Sequence, residues 1–225
     1  MASRKSFVLG AIALAENICY TEKKEVSLLE ILFSDDRLIV CIKPVGLDSE
    51  HEMPQELQKQ FPGDIFTLHR LDQNVGGVMV YARDKQTAAY FSKMIQDGLL
   101  VKEYMALVHG QPPEAGDWED LLFKDSRKNK VFVVDRQRAG VKKARLTYQR
   151  QTAGECSLVR IRLYTGRSHQ IRVQFASRGF PLVGDRKYGA RDDEKVPKLW
   201  SCCLRFSYHK QDCIFERLPQ WEELK

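Results

Sequence analysis

The chain has 225 residues, of which 43% are hydrophobic and 29% charged, and its 36 Lys and Arg exceed its 30 Asp and Glu for a net charge of +6. Its 14 Gly and 8 Pro are close to average use, which excludes collagen-like and low-complexity chains, and hydrophobic residues spread along the whole sequence argue against disorder. This length fits one large domain whose core needs no disulfide or metal to hold it.

The first half of the chain predicts a hairpin, two helices and a buried strand. Residues 27–33 and 37–43 are rich in Leu, Ile and Val and flank a Ser-Asp-Asp turn, which predicts an antiparallel hairpin. Residues 54–61 predict a short helix that ends at a Pro-Gly pair. The run GGVMVYA over residues 76–82 predicts a buried strand, and the helix that follows over residues 84–97 begins with an Asp suited to capping it.

The second half of the chain is richer in strands. Residues 101–108 predict a strand, and residues 110–140 are polar and turn-rich, with one strand inside them over 131–134. Many strands with a few isolated helices, without regular βα alternation, predict an α+β fold with a mostly antiparallel, mixed central sheet and a few flanking helices. We expect one domain over residues 27–225, preceded by an extension over residues 1–26. The remaining predicted elements are strands over 142–150, 156–164, 199–208 and 212–215 and a helix over 168–178.

Positive charge is concentrated in one part of the sequence. Between Lys124 and Arg172 there are fourteen Lys and Arg against three acidic residues, a local charge of +11 that leaves −5 for the rest of the chain. A basic surface on an otherwise acidic protein indicates a polyanionic partner, most simply nucleic acid. A basic face that is merely solvated is the alternative.

The six cysteines indicate neither a zinc site nor a disulfide scaffold. They form no CxxC pair and no Cys/His spacing typical of zinc, and six cysteines in 225 residues are too few for a disulfide framework. Reduced thiols of this kind are typical of the cytoplasm, where we expect this protein.

Three short motifs stand apart from the strand pattern. His69-Arg70-Leu71-Asp72 lies in a predicted loop just before the strand that opens at Gly76, and such loops often carry catalytic groups. On its own, an Asp followed by Gly76-Gly77 is more simply explained as a turn former. Far along the chain, Lys102-Glu103-Tyr104 begins a strand and the run TGRSHQIR over 165–172 begins a helix.

These motifs resemble the RluA-type pseudouridine synthases. The similarity runs from about residue 30 to about residue 208, with HRLD, KEY, TGRSHQIR and the stretch LVGDRKYG in the expected order and spacing. The resemblance implies an enzyme that isomerises specific uridines in structured RNA, rRNA or tRNA, to pseudouridine without a cofactor or metal. It places the catalytic aspartate at Asp72, the active-site tyrosine at Tyr104 and the basic residue at Arg172. It also places at Arg70 the arginine that fills the position of the flipped nucleotide.

The reaction requires a carboxylate, a fixed cation and an aromatic hydroxyl of this kind. A carboxylate can act as nucleophile or as base toward the sugar or the ring, and a fixed guanidinium keeps it ionised in a closed site. A tyrosine offers a ring to stack on uracil and a hydroxyl near the carbon that loses its proton. The target base must leave its stack to reach Asp72, so base flipping is implied.

We expect RNA to be the partner, with no membrane and no obligate protein partner, and the chain to be a monomer. Basic residues in the motifs and in the positively charged segment are candidates for phosphate contacts. The candidates are Lys43, Arg70, Lys128, Lys130, Lys142, Lys143 and Arg167.

Two alternatives and one departure from the family pattern stay open at this point. A catalytically silent RNA-binding protein could keep the scaffold, and a metal-dependent RNA hydrolase could use His69, Asp72, His169 and Asp185. After HRLD many relatives carry a Thr-Ser pair before the glycine, where this chain has Val75-Gly76 within the run Gln73-Asn74-Val75-Gly76-Gly77. Support for the catalytic loop is therefore expected from the backbone or from Asn74.

Overall fold

The structure, a computed structural model, describes residues 28–221, so the predicted extension over residues 1–26 lies outside the described residues. It contains a single eleven-stranded sheet, three α-helices and one 3₁₀ turn over Arg186–Tyr188. The helices are α1 (Glu52–Gln58), α2 (Lys85–Gln96) and α3 (Gln170–Ala176). The strands are β1 (Ile31–Ser34), β2 (Leu38–Lys43), β3 (Phe66–Thr67), β4 (Gly76–Ala82), β5 (Val101–His109), β6 (Ala115–Asp125), β7 (Lys130–Val134), β8 (Val141–Arg150), β9 (Cys156–Leu163), β10 (Leu199–Tyr208) and β11 (Gln211–Glu216).

The sheet is mixed and mostly antiparallel, which confirms the predicted α+β class. Its strand order is β1-β2-β4-β10-β5-β9-β8-β6-β7, with β11 on β10 and β3 on β4. Within residues 28–221 the one parallel pair of strands is β4 with β10. No helix among the described residues is long and apolar enough to cross a membrane.

Local sequence explains the boundaries of the early elements. The Asp35 carboxylate accepts hydrogen bonds from the N–H groups of Arg37 and Leu38 at 2.8 and 2.7 Å, which closes the β1–β2 turn. Asp84 caps α2 by accepting from the Thr87 N–H at 2.8 Å, and Gly98 follows the helix with a φ of +71°. These elements lie where the sequence predicts them.

The prediction for residues 110–140 is wrong in its first half. Residues 115–125 form β6, an eleven-residue strand that pairs with both β7 and β8. Its residues alternate between more and less exposed positions, and two of its four exposed residues, Asp117 and Glu119, are acidic, so the segment has the composition of a loop. The segment forms a strand because its backbone hydrogen bonds to β7 on one side and to β8 on the other.

Strand β4 is buried on both of its faces. Met79 and Tyr81 join one hydrophobic cluster, and Val78 and Val80 join a second one on the opposite face. At its start, Gly77 has a φ of +124°, and a Cβ there would lie 2.2 Å from the Ser201 carbonyl oxygen. A side chain at Gly77 is therefore excluded, and β10 can approach β4 closely at the point where the HRLD loop enters the sheet.

Candidate active site

One large cleft opens beside the start of β4, with a volume of about 760 Å³. Its walls come from the HRLD loop, the start of β5 and the segment that leads into α3. The cleft is lined by Asp72, Tyr104 and Arg172 together, although these residues are up to 100 positions apart in the sequence. A concave site of this size that gathers a few polar groups is the usual form of a ligand site.

A buried arginine joins two carboxylates at the floor of the cleft. The Arg172 Nη1 donates to the Asp72 Oδ2 at 2.9 Å, while Nε and Nη2 donate to the two oxygens of Asp185 at 2.7 and 2.8 Å. Asp185 is 1% exposed and the Asp72 side chain 29% exposed, so one carboxylate anchors the guanidinium and the other faces the cleft. Burial alone lowers the pKa of Arg172, but the bonds and charges of Asp185 and Asp72 outweigh it and raise the pKa above the ordinary value. The guanidinium is a permanent cation that fixes the direction of the Asp72 carboxylate.

The loop that carries Asp72 is held from behind by an earlier segment of the chain. The buried Ser49 hydroxyl donates to the Leu71 carbonyl at 2.8 Å and accepts from the Leu71 N–H at 3.1 Å. The Gln73 carbonyl accepts from the Gly46 N–H at 2.8 Å and from the Lys43 Nζ at 3.1 Å. Ser49, Lys43 and backbone groups therefore support the loop, which agrees with the backbone support expected from the sequence.

Tyr104 reaches the same cleft from β5. Ser201 of β10 pairs with Gly77 of β4 on one side and with Tyr104 of β5 on the other, which sets Tyr104 two strands from the HRLD loop. The tyrosine is 5% exposed. Burial, together with the nearby Asp72 charge, raises the pKa of Tyr104 above its ordinary value, so its side chain is a neutral phenol at neutral pH.

A histidine and a second tyrosine complete the wall around Asp72. His169 precedes α3 with a φ of +51°, and its Nε2 lies 3.8 Å from the Asp72 Oδ2. Its Nδ1 lies 2.8 Å from the Tyr188 hydroxyl, which also accepts from the Val131 N–H at 2.9 Å. Burial lowers the pKa of His169 below its ordinary value, and the Asp72 charge only partly opposes this. The imidazole is thus neutral at neutral pH and held in a fixed orientation beside Asp72.

The residues named in the hydrolase alternative make other contacts in this structure. Arg172 lies between Asp72 and Asp185 and bonds both carboxylates, and the His69 Nε2 accepts from the Val80 N–H at 3.3 Å. Within residues 28–221 no three His, Cys, Asp or Glu side chains converge as a metal site would require. The ligands assigned to the hydrolase alternative are therefore engaged elsewhere.

Comparison with known proteins identifies the family of this cleft. The model of the RNA pseudouridylate synthase family matches residues 37–177, which include Asp72, Tyr104 and Arg172. The chain belongs to that family. It is 32% identical over 189 residues, 74% of this chain and 71% of the relative, to the dual-specificity RNA pseudouridine synthase RluA of Vibrio parahaemolyticus. It is also 29% identical over 200 residues to tRNA pseudouridine synthase C of Haemophilus ducreyi, covering 80% of this chain and 82% of the relative.

Solved structures support the same fold. Human RNA pseudouridylate synthase domain containing 1 superposes with a TM-score of 0.77 at 22% identity, covering 88% of this chain and 86% of that one. Human RNA pseudouridylate synthase domain containing 4 gives 0.71 at 24% identity, with coverages of 85% and 89%. These structures show the fold alone. The family model and the curated relatives identify the chain as an RNA pseudouridine synthase of the RluA type, an enzyme that isomerises uridine in RNA.

Two of the residues predicted to contact RNA line the cleft of this synthase. Arg70 is exposed, and its Nη1 lies 2.9 Å from a carboxylate oxygen of Glu50 in a solvated ion pair that RNA could displace at little cost. Arg167 is exposed at the opposite wall, where its Nε donates to the Lys143 carbonyl at 3.0 Å. Lys102 and Lys124 line the cleft as well. Lys124 belongs to the positively charged segment expected to contact RNA, whereas Lys102 lies outside that segment.

Lys43, predicted as an RNA contact, is buried inside the protein. It is 0% exposed, and its Nζ donates to the carbonyls of Pro44, Leu47 and Gln73 at 3.0, 2.7 and 3.1 Å. All three ammonium hydrogens are thus used within the protein. Burial lowers the pKa of Lys43 to about 8, against the charges of Asp48, Asp72 and Glu52. Lys43 supports the catalytic loop and does not face RNA, which corrects the prediction made from its charge.

The remaining residues predicted to bind RNA lie outside the cleft, on β7, β8 and the turn between β6 and β7. Lys128, Lys142 and Lys143 are exposed there. Lys130 is half-buried, and its Nζ lies 5.3 Å from the ring centroid of Tyr188. Lys130 therefore packs against Tyr188, which lies behind His169 of the cleft, whereas the other three lysines are exposed to solvent.

Proposed function

We propose that this synthase converts uridine in structured RNA to pseudouridine with Asp72 as the central catalytic carboxylate. The observation that supports this role most directly is the bond from Arg172 to Asp72 in a cleft that Tyr104 shares. The guanidinium orients the carboxylate, and the second carboxylate, Asp185, holds the guanidinium in place. Such preorganisation lets Asp72 react without first being reoriented.

The reaction exchanges a nitrogen link for a carbon link and has no net oxidation. The bond between the ribose C1′ and uracil N1 breaks, the uracil turns in the closed cleft, and C1′ joins to C5. The hydrogen on C5 must leave, and N1 gains one. In these steps Asp72 acts as nucleophile or as base, and the closed cleft keeps the detached uracil from escaping.

Tyr104 is proposed to position the uracil and to guide the proton that leaves C5. Because its phenol is neutral, it can donate a hydrogen bond and stack, and it can accept a proton only while passing its own onward. We expect Tyr104→Phe to lower kcat at least tenfold while RNA affinity changes less than twofold, because the ring remains and only the hydroxyl is removed. Single-turnover rates and fluorescence anisotropy with the same RNA measure the two quantities. A matched loss of affinity and rate would instead assign Tyr104 to binding.

The substrate is proposed to be rRNA or tRNA. Relatives are named for both, among them the dual-specificity enzyme, the tRNA synthase and ribosomal large subunit pseudouridine synthase D of Borreliella burgdorferi. Residues 27–225 form the catalytic domain in this proposal, acting as a monomer, and the RNA substrate is the reason to propose a cytoplasmic location. Mapping pseudouridine in cellular rRNA and tRNA with and without the gene tests the assignment. Unchanged maps in both RNA classes would contradict it.

The exposed lysines outside the cleft are proposed to attract RNA phosphates. We expect Lys128→Gln with Lys142→Gln to weaken RNA binding and to flatten the slope of log affinity against log salt by about 0.7 to 0.9 for each phosphate that the protein no longer neutralises. The rate at saturating RNA should stay within twofold, because the cleft is untouched. The control is Lys59→Gln with Lys93→Gln, which makes the same charge change directly after α1 and on α2. Equal salt slopes in both double variants would place the RNA path elsewhere.

Turnover is proposed to need no metal ion. The cation in the cleft is a guanidinium held by two carboxylates, so we expect enzyme dialysed against EDTA to keep its rate within twofold on an RNA oligonucleotide whose fold is independent of Mg²⁺. The same assay run with added Mg²⁺ gives the reference rate. Loss of turnover that a divalent ion restores on this oligonucleotide would revive the hydrolase alternative.

A further inference from the structure

A second cluster of reactive side chains lies away from the cleft, where β5 ends and β9 begins. His109 and Cys156 are directly opposite each other on these two strands. The Cys156 Sγ lies 3.7 Å from the His109 Nδ1, and the His109 Nε2 lies 2.6 Å from the Asp192 Oδ2. None of the three residues lines the active-site cleft. The side chains therefore form a row in the order thiol, imidazole, carboxylate.

The carboxylate at the end of the row is fixed and ionised. Both oxygens of Asp192 lie 3.0 Å from the Gly184 N–H, and Oδ1 also accepts from the Glu194 N–H at 3.0 Å. Burial acts to raise the pKa of Asp192, but these backbone bonds and the bond from His109 outweigh it and hold the pKa below its usual value. Asp192 is therefore an acceptor at neutral pH, with no hydrogen of its own to give.

This arrangement determines what faces the sulfur. Because Asp192 only accepts, the His109 Nε2 must carry a hydrogen, and the other ring nitrogen, Nδ1, points at the Cys156 Sγ. The proton between sulfur and Nδ1 then resides on one or the other, which gives either a thiol bonded to a neutral imidazole or a thiolate beside an imidazolium. The carboxylate on the far side of the ring fixes the orientation of the imidazole and can balance the positive charge that develops when Nδ1 takes the proton of the thiol.

Cys156 faces an imidazole nitrogen, and the other cysteines of residues 28–221 lie in different surroundings. Burial raises the pKa of Cys41 and of Cys202 to about 12 and that of Cys203 to about 11, which makes these thiols inert. Cys213 is half-buried like Cys156, but its Sγ lies 3.7 Å from a backbone carbonyl, and burial raises its pKa as well. Cys213 is thus a matched comparison for Cys156, with similar exposure and an acceptor in place of an imidazole.

The row is a site for thiol chemistry and not for a metal. The His109 Nδ1 faces the Cys156 sulfur, and the Nε2 faces the Asp192 carboxylate. Because the imidazole ring lies between the sulfur and the carboxylate, these two groups cannot bind the same metal ion. The His109 side chain is 32% exposed and Cys156 is half-buried, so a small reagent can reach the sulfur.

We propose that Cys156 is a site of reversible thiol modification, at which it exchanges with low-molecular-weight disulfides. The Cys156 thiolate attacks one sulfur of the disulfide, a new S–S bond forms and the original S–S bond breaks. The departing thiolate takes the proton from the His109 Nδ1. The disulfide is the only oxidant, and one small thiol is released for each mixed disulfide formed.

The test uses an aromatic disulfide that releases a coloured thiolate, with the labelled cysteine identified by mass spectrometry of peptides. We expect Cys156 to react at least threefold faster than Cys213 at pH 7, and His109→Asn to remove that advantage. An ordinary cysteine is about 3% thiolate at pH 7, and one made about half thiolate by an imidazolium reacts about threefold faster after its lower intrinsic nucleophilicity is counted. The control variant His51→Asn, at an exposed histidine before α1, should leave both rates unchanged.

Two further variants keep the test decisive. Asp192→Asn retains the shape of the carboxylate but not its charge and should slow Cys156 in the same direction as His109→Asn, which matters if the latter fails to give a cooperative thermal transition. Cys156→Ser should abolish labelling at this position and leave uridine isomerisation unchanged. Equal rates at Cys156 with and without the imidazole, or a Cys156 that reacts no faster than Cys213, would overturn the proposal and leave the row a packing contact.

Discussion

Replacing Asp72 by Asn is expected to stop pseudouridine formation while RNA binding persists. An amide of the same shape can neither attack carbon nor take a proton, and loss of a central catalytic group of this kind costs well over 100-fold in rate. RNA affinity should stay equal or rise slightly, because a negative charge that faces the cleft disappears. Single-turnover formation of pseudouridine, measured at saturating enzyme, separates the rate from the affinity.

The control for this variant is Asp64→Asn, at an exposed position in the loop before β3. It makes the same chemical change outside the cleft and should keep the wild-type rate. A residual rate above about 1% in Asp72→Asn, with Asp64→Asn unchanged, would show that Asp72 is not the central group. Loss of RNA binding together with activity would point instead to a collapsed loop.

The sheet could be predicted from sequence wherever hydrophobic pattern and burial coincide. Residues 76–82 form a continuous apolar run that ends at an Arg-Asp pair, and the structure places β4 at those bounds. Strand β6 escapes prediction because its exposed side carries Asp and Glu, and its neighbours β7 and β8 supply the partners that single-sequence patterns cannot contain. The helix α3, Gln170–Ala176, lies inside the predicted range 168–178, because the Gly179 and Pro181 that mark its end are local features.

The sequence motifs predict the residues that line the site, but they do not predict the residues that hold those side chains in place. Ser49 bonds Leu71, 22 positions further along the chain, and Lys43 bonds Gln73, 30 positions further along. Contacts between residues this far apart in sequence cannot be recognised from a local sequence pattern. The charge of Lys43 suggests exposure and an RNA contact, whereas its ammonium is consumed by three carbonyls in the interior. Asp185 belongs to a recognised stretch, but its role as anchor of Arg172 depends on a contact that only the folded chain shows.

Removal of Arg172 is expected to damage both the fold and the reaction. In Arg172→Met the Asp185 carboxylate, 1% exposed, loses the two bonds from the guanidinium at 2.7 and 2.8 Å. Leaving a buried charge without its partner costs about 3 to 5 kcal/mol, a large share of the roughly 5 to 15 kcal/mol that stabilises a domain. At about 2 to 4 °C per kcal/mol for a chain of this size, Tm should fall by about 10 °C, measured by calorimetry.

A second substitution separates the two effects. Arg172→Met with Asp185→Leu replaces the buried ion pair by apolar side chains of similar size, which is often neutral or stabilising, so most of the lost Tm should return. Turnover should not return, because Asp72 still lacks the cation that orients its carboxylate at 2.9 Å in the wild type. We expect the double variant to fold cooperatively and to isomerise uridine at least 100-fold more slowly than the wild type. Recovery of both stability and turnover in the double variant would mean that Arg172 only holds the fold together. Recovery of stability alone would assign it the second task, that of setting Asp72 against the substrate.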